Sequence, residues 1–196
     1  AGVSNTTLDT NNDLTNISGA DNVATATITD DDAAPSISIA ATSVTEGDSG
    51  TANAVFTVTF TNASENNITV DYVTADGTGT IADADYASAN VTGFQIDAGT
   101  LSNTFNISVN GDAKFEDDET FTVTISSASE GTITTAAGTG TITNDDSAPT
   151  VSVADAAATE ASNVVFTVNL SNASENSGTI DYTVADGAGE TGATTG

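Results

Sequence analysis

The sequence predicts an all-β chain of tandem immunoglobulin-like β-sandwiches, one complete and two partial. Three observations carry that prediction. Wherever apolar residues gather they alternate with Thr, Ser and Asn at a period of two. Gly, Asn and Asp punctuate these runs at short intervals, and no stretch has helical spacing. The chain also repeats itself after about 110 residues, the size of a domain rather than of a solenoid coil.

The repeat is legible in three runs. Thr27-Ile28-Thr29-Asp30-Asp31-Asp32-Ala33-Ala34-Pro35 returns 114 residues on as Thr141-Ile142-Thr143-Asn144-Asp145-Asp146-Ser147-Ala148-Pro149. Val55-Phe56-Thr57-Val58 returns 110 residues on as Val165-Phe166-Thr167-Val168, and Asn62-Ala63-Ser64-Glu65-Asn66 returns as Asn172-Ala173-Ser174-Glu175-Asn176. A four-residue deletion after Glu160 accounts for the change of spacing. Residues 1–32 are therefore read as the C-terminal part of a preceding repeat, 33–146 as a complete repeat and 147–196 as the N-terminal half of a following one. The joints at Pro35 and Pro149 are short and proline-bearing, so neighbouring repeats are expected to be held stiffly. Two incomplete ends suit a window on a longer array, or a subunit that completes itself head to tail by strand exchange.

Within 33–146 seven strands are expected, in order. Ile37 and Ile39 mark the first, which resumes after a break at Val44. Phe56, Val58 and Phe60 share one face of the second, and Ile68, Val70 and Tyr72 one face of the third. The fourth is weaker and holds Val91 and Phe94. Leu101, Phe105, Ile107 and Val109 form the inward set of the fifth, Phe121, Val123 and Ile125 that of the sixth, and the seventh ends at Ile142. Polar residues fill the alternate positions, as in strands wetted on one side. Seven short strands in such a span read as a two-sheet sandwich.

Composition narrows function sharply. Asp and Glu number 28 against one basic residue, Lys114, giving a net charge of −27. Nucleic acid and anionic membrane surfaces are polyanions, so neither is an expected partner. With no Cys, His, Met or Trp the chain has no disulfides, no Cys/His zinc site, no thiol nucleophile and no histidine base. An enzyme is not expected. No apolar run approaches the roughly 18 residues of a membrane span. Close to a fifth of the chain is Thr, which suits the wet face of a strand. The opening at Ala1, with no visible signal peptide, fits a mature or excerpted secreted chain.

The acids are unevenly placed. If strands alternate up and down, Glu46, Asp48, Asp76, Asp83, Asp85, Asp112, Glu116, Asp117, Asp118, Glu119, Asp145 and Asp146 all fall at one end of the sandwich. The opposite end receives Glu65, Asp97 and Glu130, one per loop. Two carboxylates about 4 Å apart repel by roughly 4 kcal/mol at a protein-surface dielectric. A crowded rim with Lys114 as its one neutralising side chain invites cations, and an oxygen-only donor set suits Ca²⁺ better than Mg²⁺. The competing account is a solvated, repulsive rim on a salt-adapted protein.

These same segments resemble a known family. "SVTEGDSG" at 43–50, "ADGTGTIADADY" at 75–86, "NGDAKFEDDETFTV" at 110–123 and "GTGTITNDD" at 138–146 are similar, in that order, to the Calx-beta domain. The resemblance implies an immunoglobulin-like sandwich that clusters Ca²⁺ at its distal loops. It points to Glu46, Asp85, Asp112, Glu116, Glu119, Asp145 and Asp146 as ligands. Gly111 stands where strongly binding members carry an acid, and Asn144 replaces the first Asp of the terminal triplet; both departures imply fewer ions or weaker binding.

Other motifs carry less. Asp9, Asn11 and Asp13 have the spacing that opens an EF-hand loop, but Leu14 takes the glycine position and Ala20 the final Glu position. A glycosidase pair such as Glu116 and Glu119 has no aromatic platform beside it, and the tyrosines Tyr72, Tyr86 and Tyr182 read as core or rim. The expected function is structural: a calcium-binding repeat segment of an extracellular bacterial fibre or adhesin stalk on the cell surface. Its expected partners are calcium ions and neighbouring repeats or adjacent subunits. The alternative is an adhesive module that recognises a glycan or protein receptor, or a filament subunit joined by strand exchange.

Overall fold

The computed structural model describes residues 31–185. Expectations for residues 1–30, including the run from Asp9 to Ala20, and for 186–196 lie outside the described residues.

Every regular element among the described residues is a strand. They are β1 (Ser36–Ile39), β2 (Thr42–Thr45), β3 (Gly50–Phe60), β4 (Ile68–Asp76), β5 (Asn90–Ile96), β6 (Ser102–Gly111), β7 (Glu119–Ser126), β8 (Thr132–Thr135), β9 (Ala137–Thr143), β10 (Val151–Val153) and β11 (Val168–Leu170). One sheet runs β6-β3-β1-β8 and faces a second that runs β2-β9-β7-β4-β5. The alternation that predicted the strands is the alternation that fills the core. Along β7, Phe121, Val123 and Ile125 are buried while Thr120, Thr122 and Thr124 are only half-buried.

The expected first and seventh strands each divide in two, which makes nine strands where seven were read. β1 pairs antiparallel with β3 in one sheet, whereas β2 pairs parallel with β9 in the other. β8 pairs with β1, and β9 with β7. The break after Ile39 is thus the point at which the chain crosses between sheets, so the outer edges of the sandwich are stitched together. Leu101 does not join the core: it precedes β6 and is 55% exposed, while its carbonyl accepts the Phe60 N–H at 2.8 Å. Ala54, Tyr86 and Ile96 are buried instead.

Aromatic rings tie the layers together. Tyr72 stacks on Phe105 with centroids 4.0 Å apart, Phe105 on Phe56 at 5.8 Å, and Phe56 meets Phe121 edge-on at 5.9 Å. Tyr86 stacks on Phe121 at 4.4 Å, next to the acidic rim. Each such pair contributes about 0.5–1.5 kcal/mol beyond the area it buries.

The sequence repeat reappears as register. Ile37 pairs with Phe60 and Ile39 with Val58; in the second copy Val151 pairs with Leu170 and Val153 with Val168. Among the described residues no second sheet covers this later pair, and Val153 and Leu170 are 56% and 55% exposed. Tyr182, read as core or rim, is 86% exposed for the same reason.

Candidate metal centre

Strand parity delivers two carboxylates to the inside of the rim. On β7 the inward set Ile125, Val123, Phe121 continues by one more step of two to Glu119, which is buried. On β2 the half-buried Val44 is followed two residues later by buried Glu46. Asp85 and Glu116 come from loops and are buried as well. Asp112 and Asp145 are exposed, and Asp146 is half-buried.

Asp85, Glu116 and Glu119 converge: each offers an oxygen, and the three oxygens lie within 4.8 Å of one another. Asp85 is set by a tight turn. Its Oδ2 accepts the Thr80 N–H at 2.6 Å, its N–H donates to the Thr80 carbonyl at 3.1 Å, and its carbonyl accepts the Asn110 N–H at 2.9 Å. Ala84 just before it holds φ at 70°, a left-handed conformation costly for a residue with a Cβ. Over Glu119 the chain passes closely at Gly79, where an added Cβ would lie 3.2 Å from Glu119 Oε2.

The charges at this rim are poorly compensated. Lys114 Nζ lies 2.5 Å from Glu116 Oε1, the one salt bridge among the described residues, and that bond holds the Lys114 pKa above its ordinary value. Glu119 Oε2 is buried without a hydrogen-bond partner, and so is Asp146 Oδ2. Burial, then a hydrogen bond and charge from Asp85, push Glu119 up to about 8. Burial, then the charges of Glu116, Asp112, Asp146 and Asp145, push Glu46 up to about 7. Asp146 is raised by desolvation, then by Asp48, Asp145 and Asp112. Glu46 thus feels Glu116 of the buried triad as well as Asp112 and the 145–146 tail.

The remaining acids divide by role. Asp76 accepts the Tyr86 hydroxyl at 2.6 Å and the Ile81 N–H at 3.2 Å, and Asp83 exchanges hydrogen bonds with Thr80. These two shape the loop that presents Asp85. Asp118 accepts the Asn144 N–H and Asp145 the Gly47 N–H, each at 3.1 Å, which ties the chain after β9 to the rim. At the opposite end Glu130 accepts from Ser64 and Asn66 and so fastens a turn.

Gly111 has a steric reason. An added Cβ there would fall 2.0 Å from the Gly47 carbonyl oxygen and 2.6 Å from that of Glu46. Gly111→Asp, which would restore an acid at this position, should therefore destabilise the chain by about 2 kcal/mol through overpacking. Urea denaturation checks this, and a variant as stable as the parent would refute it.

The donor set fits a hard cation. It is all oxygen, it is in excess of its one neutralising ammonium, and it leaves a buried carboxylate oxygen unpartnered, a costly state without a counter-charge. Three or more carboxylates on separate segments suit Ca²⁺, with its six to eight oxygen ligands, better than the strict octahedron of Mg²⁺.

The sequence model of a family described as Calx-beta domain matches residues 30–147. No curated protein matches the chain. Among solved structures it is similar to calcium binding domain CBD12 of CALX1.1, at 24% identity and a TM-score of 0.50, over 61% of this chain and 50% of that one. It is similar to CBD12 from CALX1.2 at the same identity and TM-score, over 61% of this chain and 49% of that one. An apo-form Calx CBD1 domain is covered over 100% of its length and 58% of this chain, at 24% identity and a TM-score of 0.47. The chain thus spans about half the length of the two CBD12 structures. The likeness to those two is one of fold, and it agrees with the pair of facing sheets.

Proposed function

The chain belongs to the Calx-beta domain family, and on that premise we propose that it is a calcium-binding structural repeat whose rim acids hold Ca²⁺. One observation carries the reading: three buried carboxylates meet within 4.8 Å, and Glu119 Oε2 among them has no partner. Asp85, Glu116 and Glu119 would hold one ion. Glu46, Asp112, Asp145 and Asp146 extend the donor set around it. The ion supplies the positive charge that lets these groups stay ionised together. The chain's own residues do the rest: β2 and β7 present Glu46 and Glu119 by parity, the 80–85 turn presents Asp85, and Lys114 neutralises Glu116 until a cation competes for it.

The setting we propose is an extracellular fibre or adhesin stalk on a bacterial surface, with repeats 1–32, 33–146 and 147–196 in series. The near-absence of basic residues, the lack of Cys and the abundance of Thr support it. The role is mechanical rather than catalytic, because calcium at the rim fixes the loops that lead into the next repeat. Calcium at ten times its dissociation constant adds about 1.4 kcal/mol, which should raise the melting temperature by several degrees. Calorimetry with Ca²⁺ against EDTA tests this; identical melting temperatures would sink the proposal.

A further inference from the structure

The Asn172–Asn176 turn touches the rim of the preceding sandwich mainly through backbone. Phe115 N–H donates to the Ala173 carbonyl at 3.0 Å, and Glu175 N–H donates to the Phe115 carbonyl at 3.0 Å, a parallel bridge between Phe115 and Ser174. Asn176 Nδ2 donates to Asp117 Oδ1 at 3.4 Å. Glu175 lies near enough for its charge to act on both Lys114 and Glu119. Phe115 sits between Lys114 and Glu116, so the loop whose backbone is gripped is the loop that carries a rim carboxylate.

The same five residues occur in the complete repeat as Asn62-Ala63-Ser64-Glu65-Asn66, and they are built the same way. Asn66 N–H donates to Ser64 Oγ at 3.0 Å as Asn176 N–H does to Ser174 Oγ at 3.1 Å. Thr61 Oγ1 donates to Asn62 as Ser171 Oγ does to Asn172, at 2.9 and 2.8 Å. Gly99 N–H and Glu130 brace the earlier turn from behind through Ser64. Its two gripping groups, the Ala63 carbonyl and the Glu65 N–H, belong to exposed residues and make no hydrogen bond among the described residues. One copy of the turn is seated on a loop; in the other, the Ala63 carbonyl and the Glu65 N–H have no such seat among the described residues.

We propose that the Asn-Ala-Ser-Glu-Asn turn is the clasp between repeats: turn 172–176 grips the Lys-Phe-Glu loop of the preceding sandwich by its backbone and so ties repeat 147–196 to the loop that carries Glu116. Recognition by backbone exchange needs a loop of fixed shape more than a particular side chain, which suits an array whose repeats vary in sequence. The clasp rests on reading the chain as tandem calcium-binding repeats, and it adds a named contact between them.

Amide exchange on the full chain at micromolar concentration reads the seated clasp. The Glu175 N–H should exchange at least tenfold more slowly than the free rate for its Ala-Ser-Glu-Asn surroundings; exchange at the free rate overturns the proposal. Calcium-dependent melting of the same chain separates the two readings. A melting point that ignores calcium alongside a protected Glu175 N–H removes the calcium reading and leaves the clasp; the reverse pair of results removes the clasp alone.

Discussion

Stripped of calcium, the chain should be markedly less stable at pH 9 than at pH 5. Glu46 and Glu119 have folded-state pKa values raised to about 7 and about 8 from an ordinary 4.5. Below about pH 4.5 the folded and unfolded chains hold these protons alike. As pH rises from there to about 8 the unfolded chain releases them while the folded one retains them, so stability falls across that window and stays low above it. At about 1.4 kcal/mol per pH unit, discounted for solvent screening at the rim, the two sites together cost on the order of 5 kcal/mol. That is a large share of the roughly 5–15 kcal/mol that holds a domain together. General repulsion among the other acids would also lower stability with pH, so the site needs its own control. Glu46→Gln with Glu119→Gln should flatten the slope without calcium, because amides keep the shape and carry no proton to lose. Thermal melts at pH 5, 7 and 9 decide it: a metal-free chain whose melting temperature holds or rises over that range would defeat the account. Calcium should remove most of the slope in the parent chain, since the ion favours the ionised carboxylates that burial disfavours.

That slope comes from two residues whose burial follows strand parity, and parity is also what made the fold legible. Phe121, Val123 and Ile125 announce an inward face in the sequence, and Glu119 lies on its extension. Val44 on β2 and Glu46 just past its end stand in the same relation. The rule of two, carried past the last apolar residue, therefore finds both groups with the most perturbed protons. It does not find Asp85 or Glu116. Their placement depends on a turn with a left-handed Ala84 and on the loop before β7, and no period describes such segments. Loop parity puts those two among the rim acids, and the family resemblance singles them out, as it does Glu46 and Glu119. The division of the first and seventh strands between sheets was only half visible, as the gap from Ile39 to Val44. Pattern marks where a strand stops being regular, but the choice of partner sheet is a tertiary matter. The roles of Asp76 and Asp83 were hidden as well: from composition they were indistinguishable from rim acids, and only their hydrogen bonds to Tyr86, Ile81 and Thr80 separate scaffold from site.

Replacing Glu116 and Glu119 together by Gln should lower calcium affinity at least a hundredfold, about 2.7 kcal/mol. Both residues are buried, and their oxygens lie within 4.8 Å of Asp85 and of each other. The double change leaves the site's volume intact and removes two of its three converging negative charges. Coulomb attraction between a divalent ion and each lost charge is strong at such a spacing in a half-buried setting, and exposed acids such as Asp112 cannot replace it at water's dielectric. The matched control is Glu65→Gln with Glu130→Gln at the opposite end of the sandwich. It removes the same number of charges, but beyond a Debye length of roughly 8–10 Å these are screened, so affinity should stay within about twofold. Isothermal titration of the three chains gives the comparison directly. Loss of fold is separable from loss of ligands, because Glu119→Gln removes a buried like-charge contact with Asp85. The metal-free double variant should therefore melt no lower than the parent at pH 8. Equal losses of affinity from the two double variants would mean that the acids act as a diffuse field around the whole sandwich. A hundredfold loss from the rim pair alone places the ion among Asp85, Glu116 and Glu119.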